Sequence, residues 1–228
     1  MASLALLLAA AATLSPLVQD QALGPAWRVV GLPNQSLPFT RYSAEVIEGR
    51  AAVRVQAQAS YGNLVHDLAA VPAPRTLRWS WRVQQANALT DLRSKAGDDT
   101  VVKVCLSFDL SMDRVPFMER QALRLARAST DQALPAATLC WVWGGAEAKG
   151  ELLPDPYSRR VRYIVLRQSQ DPLATWFDET RDVAADFRRA FGDESIDVPP
   201  VTAVIVSGDG DNTRASSVAH VADLRLAP

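Results

Sequence analysis

Hydrophobic residues recur at every second position over most of this chain, the spacing at which successive side chains point to opposite faces of a strand. The alternation predicts strands over residues 27–32, 42–47, 51–59, 77–83, 100–108, 138–143, 161–167, 176–180, 201–206 and 218–226. Prolines and a glycine punctuate them, among them Pro33, Pro38, Gly49, Pro72, Pro154, Pro156, Pro199 and Pro200, as turns between sandwich strands require. Two stretches break the pattern. Residues 117–127 are rich in helix formers, and residues 183–191 set Phe187 and Phe191 one helical turn apart ahead of Gly192, a natural residue after a helix end. The expected fold is all-β, a single antiparallel sandwich of jelly-roll character with two short peripheral helices.

The phase of each strand assigns its faces. In residues 77–83, Leu77, Trp79, Trp81 and Val83 share one face and Arg78, Ser80 and Arg82 the other; in residues 100–108, Val102, Val104, Leu106 and Phe108 oppose Val101, Lys103, Cys105 and Ser107. If the two strands are neighbours, Arg82 and Lys103 project from one sheet surface beside Asp98 and Asp99; the alternative is an ordinary solvated sheet face. Leu139, Trp141 and Trp143 share a face suited to the core, or to stacking against a sugar where an indole is exposed. His220 alternates with Val218, Ala222 and Leu224, which reads as a core histidine.

Two acidic turns carry the candidate chemistry: Gly97-Asp98-Asp99 and Gly208-Asp209-Gly210-Asp211-Asn212-Thr213. Carboxylates brought together repel unless a cation, a donor-rich ligand or water compensates, although Asp and Asn also serve turns by bonding their own backbone. Asp209, Asp211 and Asn212 form a candidate metal set whose all-oxygen character suits calcium. It is not an EF-hand, because Arg214 stands where that loop needs glycine and no Glu occupies the twelfth position. No other cofactor is expected. Only His66 and His220 offer imidazole, Ser207 lacks a nucleophile-elbow frame, and no phosphate-binding glycine loop occurs. No complete catalytic constellation is present, so no catalytic residue is assigned.

Composition narrows the partners. With 24 Lys and Arg against 25 Asp and Glu, net charge gives no reason to expect a nucleic-acid partner. The apolar run in residues 1–13 is too short to span a bilayer and resembles a secretory h-region. It sets an expected leader over residues 1–20, a domain over 25–228, no transmembrane segment, and a periplasmic or secreted location. Cys105 and Cys140 are the two cysteines; they either pair across two strands in an oxidising compartment or remain buried free thiols.

Five motifs then fall in order: Trp79-Ser-Trp-Arg82; Gly97-Asp-Asp99 leading to Leu106-Ser-Phe-Asp109; Leu139-Cys-Trp-Val-Trp143; Arg181 to Asp186 with Phe191-Gly192; and Asp209-Gly-Asp-Asn-Thr213. Together they resemble the bacterial domain-of-unknown-function 3047 family, over about Trp27 to Leu226. The resemblance implies an exported protein of unassigned activity and a galactose-binding-like or jelly-roll sandwich. The polar strand phases beside the acidic turns set the functional expectation: noncatalytic binding of a carbohydrate or similar polar envelope ligand by Arg82, Asp98, Asp99, Lys103, Asp211 and Asn212. The alternatives are a glycan-active hydrolase using paired Asp residues, and a structural subunit of an envelope assembly.

Overall fold

The computed structural model describes residues 14–130 and 134–227. Fourteen strands and two helices follow in order: β1 (Val18–Gln19), β2 (Ala22–Leu23), β3 (Trp27–Val30), β4 (Arg41–Ile47), β5 (Arg50–Gln58), β6 (Asn63–Val71), β7 (Thr76–Gln85), β8 (Lys103–Phe108), α1 (Phe117–Ala128), β9 (Ala137–Trp143), β10 (Leu152–Pro154), β11 (Val161–Arg167), β12 (Phe177–Asp182), α2 (Val183–Phe191), β13 (Val201–Ser207) and β14 (Ser216–Ala227). A seven-stranded sheet has the order β10-β11-β9-β8-β13-β6-β3, a five-stranded sheet the order β12-β7-β14-β5-β4, and β1-β2 form a small hairpin. This is the expected β-sandwich, with one departure: β11 runs parallel to β9.

The alternating apolar faces meet between the sheets. Val104, Leu106, Phe108, Leu139, Trp141 and Trp143 from one side pack toward Val53, Val55, Leu77, Trp79, Trp81 and Val221 from the other. Trp79 and Trp141 lie with ring centroids 5.8 Å apart, and Trp81 and Trp143 5.9 Å apart. The indoles of these strands are therefore core, not sugar platforms. Burying them brings polar demands: Glu179 meets Trp81 Nε1 (3.1 Å) and Asp186 meets Trp141 Nε1 (2.7 Å), while Trp79 Nε1 and Trp143 Nε1 are buried without a partner.

Both helices stand where the periodicity predicts. Asp182 caps α2 by accepting from the Ala185 N–H at 2.9 Å, and Phe187 packs 4.7 Å from Phe108. α1 buries only Leu123 and so sits outside the sheets. Strand β6 is unpredicted, because Asn63-Leu-Val-His-Asp-Leu-Ala-Ala-Val71 lacks a clean alternation; it pairs with both β13 and β3.

Of the expected leader, residues 1–13 lie outside the described residues. Residues 14–20 pack on the sandwich, with Leu17 buried in the core and Val18 in β1. Among the described residues no helix is long and apolar enough to cross a membrane.

Candidate functional site

The outer face of the seven-stranded sheet floors a groove of about 900 Å³. Its floor comes from the second, semi-polar phase of each strand: Lys103, Cys105 and Ser107 of β8, Thr138 and Cys140 of β9, Tyr163 of β11 and Ile205 of β13. Cys105 and Cys140 stand directly opposite each other in the β8–β9 register and form a disulfide, which resolves the choice between pair and free thiols. The two acidic turns meet at one end.

They meet because Asp99 and Asp209 bind the opposite turn. Asp99, fully buried, accepts from the Thr213 N–H at 2.7 Å, the Thr213 hydroxyl, the Asn212 N–H at 3.2 Å and Asn212 Nδ2 at 3.3 Å. Asp209 accepts from the Thr100 N–H at 2.6 Å and from Lys103 Nζ at 2.5 Å. Gly208 and Gly210 permit the close fit: a Cβ on either would fall 2.6 Å from a backbone oxygen, that of Val101 or Ala215. These two carboxylates hold the turns together.

Asp98 and Asp211 differ. Each has an Oδ1 that is buried without a hydrogen-bond partner, and both line the groove. Desolvation pushes the Asp98 carboxyl up to about 7, opposed by Lys103 and reinforced by Asp155 and Asp209; desolvation, then Asp209 and Asp99, push Asp211 up to about 6. Lys103, only 8% exposed, loses by desolvation but gains more from Asp209 and Asp98, so its ammonium is held above the usual lysine range.

Three groove residues escape the sequence reading. Asp155 accepts from the Tyr163 hydroxyl at 2.6 Å and from the Tyr157 and Ser158 N–H groups at 2.7 and 2.9 Å. Tyr157, 57% exposed, donates to Asn212 Oδ1 at 2.6 Å. That contact ties the β10–β11 turn to the acidic turn. The available signals were the Pro-bracketed Asp155 and the phase that puts Tyr163 beside Val161 and Val165.

Arg82 does not join this site. β7 and β8 are consecutive in sequence but lie in different sheets, so alternation placed Arg82 on a polar face correctly while leaving open which sheet owned it. Arg82 instead pairs with Glu48 at 3.3 Å on the outside of the five-stranded sheet. His220 also changes face: Ala219 and Val221 enter the core, and His220, in register with Arg54 and Arg82, points outward to Glu45 at 3.1 Å. Residues 218–222 are apolar on both phases except at His220, which is why the phase misled. His66 stays inside, edge-on to Trp27 at 5.2 Å, and accepts from the Ser15 N–H.

As for the metal set, Asp209 is occupied by Lys103 and Thr100, and Asn212 by Tyr157 and Asp99. Among the described residues no group of three or more His, Cys, Asp or Glu is arranged to hold a metal ion.

Fold and site together define a two-sheet β-sandwich carrying a ligand-sized groove on one outer face. The chain belongs to the DUF3047 family, described as a protein of unknown function, whose pattern matches residues 25–225. No curated protein matches it. Among solved structures it is similar to the family 11 carbohydrate-binding module of the cellulosomal cellulase Lic26A-Cel5E of Clostridium thermocellum (9% identity, 94% of this chain and 92% of that chain, TM-score 0.42). It is also similar to endoglucanase 3 from family GH12 of Trichoderma harzianum (8%, 96% and 98%, 0.45), and to the K1 cleaved adhesin domain of Lys-gingipain from Porphyromonas gingivalis W83 (10%, 96% and 99%, 0.43). These are likenesses of fold.

Proposed function

We propose that the groove binds a carbohydrate or similarly polar ligand without turning it over. One observation carries the reading: two carboxyl groups that line a groove of ligand size, Asp98 and Asp211, each keep a buried oxygen without a hydrogen-bond partner. A buried acceptor without a donor costs free energy, and a ligand hydroxyl entering the groove supplies the missing donor. Tyr157 and Tyr163 add aromatic faces beside the acceptors, the combination of apolar body and fixed polar groups on which orientation in a binding site depends. Asp99, Asp209 and Asn212 act indirectly by fixing the turns, and Lys103 holds Asp209.

The disulfide Cys105–Cys140 supports an exported, periplasmic or secreted setting, since such bonds persist in oxidising compartments. Glycan hydrolysis is a second reading favoured by one feature, the raised proton affinity of Asp98, which suits a general acid. In that case Asp98 and Asp211 are the usable pair, because Asp99 and Asp209 are committed to the turns.

The test is a glycan array followed by calorimetry on wild type, Asp98→Ala and Tyr157→Ala. Binding in the wild type that weakens on the order of tenfold in either variant, with no release of reducing ends, is expected. Absence of any glycan response in the wild type would overturn the reading, and turnover lost in Asp98→Ala would select the hydrolase.

A further inference from the structure

The end of the groove holds more carboxyl groups than its cations can match. Asp98, Asp155, Asp209 and Asp211 line it against one lining ammonium, that of Lys103, which already pairs with Asp209, and the rim ammonium of Lys95, which sits over the Tyr157 ring. The other cations of the groove are used elsewhere: Arg28 pairs with Asp67 at 2.7 Å, and Arg127 donates to the Leu134 carbonyl. Asp98 lines the groove, is 7% exposed, and its Oδ1 has no hydrogen-bond partner, so the excess sits at the groove's end with little water to screen it.

Resting on the glycan reading above, we propose that this end selects a glycan bearing free, protonated amino groups, a glucosamine-type chain, over its neutral or N-acetylated counterparts. An ammonium both donates hydrogen bonds and cancels charge, whereas a hydroxyl does only the first. Charge-assisted contacts to Asp98 and Asp211 account for the selectivity; the Tyr157 and Tyr163 rings already face the ammonium groups of Lys95 and Lys103, at 5.0 and 5.9 Å from the ring centroids. A compact divalent ion fits less well, because among the described residues no three carboxylate, imidazole or thiolate groups converge on one centre.

Proton linkage gives the interaction a signature. The titratable groups facing Asp98 are Lys103, Asp155, Asp209, Tyr157 and Tyr163; Lys103 is held charged, and burial holds Tyr163 above its ordinary range. With Asp98 pushed up to about 7, an arriving ammonium expels its proton, so the binding enthalpy varies with the ionisation heat of the buffer.

The experiment is calorimetry of the full chain at mildly acidic pH with three probes: a glucosamine tetramer, its fully N-acetylated form and a neutral glucose tetramer. The glucosamine tetramer is expected to bind on the order of tenfold tighter than the other two, with a buffer-dependent enthalpy and an affinity that falls as salt rises. Asp98→Asn is expected to remove most of the preference and to reduce the buffer dependence, the remainder coming from Asp211. Should that variant fail to fold, the salt and buffer dependence of the wild type decide. Neutral tetramers binding as well as the aminated one would overturn the inference and leave the glycan reading standing; no response to any of the three would remove both. A stoichiometric heat with calcium alone and none with the aminated tetramer would also overturn it.

Discussion

The two sheets present outer faces that read alike in sequence and behave differently in space. On the five-stranded sheet, Arg82 faces Glu48, His220 faces Glu45, and Arg50 reaches Asp178 and Asp223; these side chains meet acidic partners, while Arg54 Nε stays buried without one. On the seven-stranded sheet, Lys103 and Asp209 cancel, but Asp98 and Asp211 are left over beside a groove. Charge on a sheet face therefore says little about binding. Uncompensated charge, buried and facing a cavity, says much more.

The largest test of that contrast compares pairs. Lys103→Met leaves Asp209 buried without its ammonium and is expected to cost about 3–5 kcal/mol. Asp223→Asn, on the other sheet, removes from Arg50 a bridge whose two side chains are both well exposed and is expected to cost under about 1 kcal/mol. Urea unfolding of both variants checks the difference, and equal losses would erase it.

Next in size is a substitution that stabilises. The Asp98 carboxyl binds its proton more tightly folded, at about 7, than unfolded, near 3.8. The folded state therefore loses relative stability as pH rises from about 4 to about 7, and above that range the full penalty is present. Asp98→Asn is expected to gain about 4 kcal/mol at pH 8 by the usual 1.4 kcal/mol per pKa unit and little at pH 4. Thermal unfolding across that range would show the gap opening; a gain over wild type no larger at pH 8 than at pH 4 would argue against a desolvated Asp98.

The smallest effect has the opposite sign. Desolvation, with Arg82 and Arg54 nearby and Glu45 opposing, holds His220 below the ordinary histidine range. Its neutral form is favoured when folded, so stability falls as pH drops below about 6.5. His220→Gln is expected to flatten that acid limb without altering the alkaline one, as pH-dependent melting curves would reveal.

Most strands, both helices and the core tryptophans were legible because period-2 and period-3.6 patterns report burial directly. The meeting of the acidic turns was legible only as a question, since Asp98 and Asp211 are separated by about half of the chain. Sheet membership was not legible: alternation gives a strand two faces but does not say which sheet takes it, which is why Arg82 and Lys103 read as neighbours. Nor did pattern separate Asp98 from Asp99. Adjacent and chemically identical, one is saturated by Asn212 and Thr213 and the other keeps a free oxygen, a distinction set by long-range packing alone.

The parallel pairing of β9 and β11 divides what the sequence must preserve from what it can vary. A parallel neighbour cannot be reached by a tight hairpin, so residues 144–160 travel back along the sheet edge and deliver Asp155 and Tyr157 to the rim. Length or composition can change in that excursion while the tryptophan layers between the sheets stay in register. Related chains therefore have a place to retune what they hold without rebuilding the barrel of indoles that holds them together.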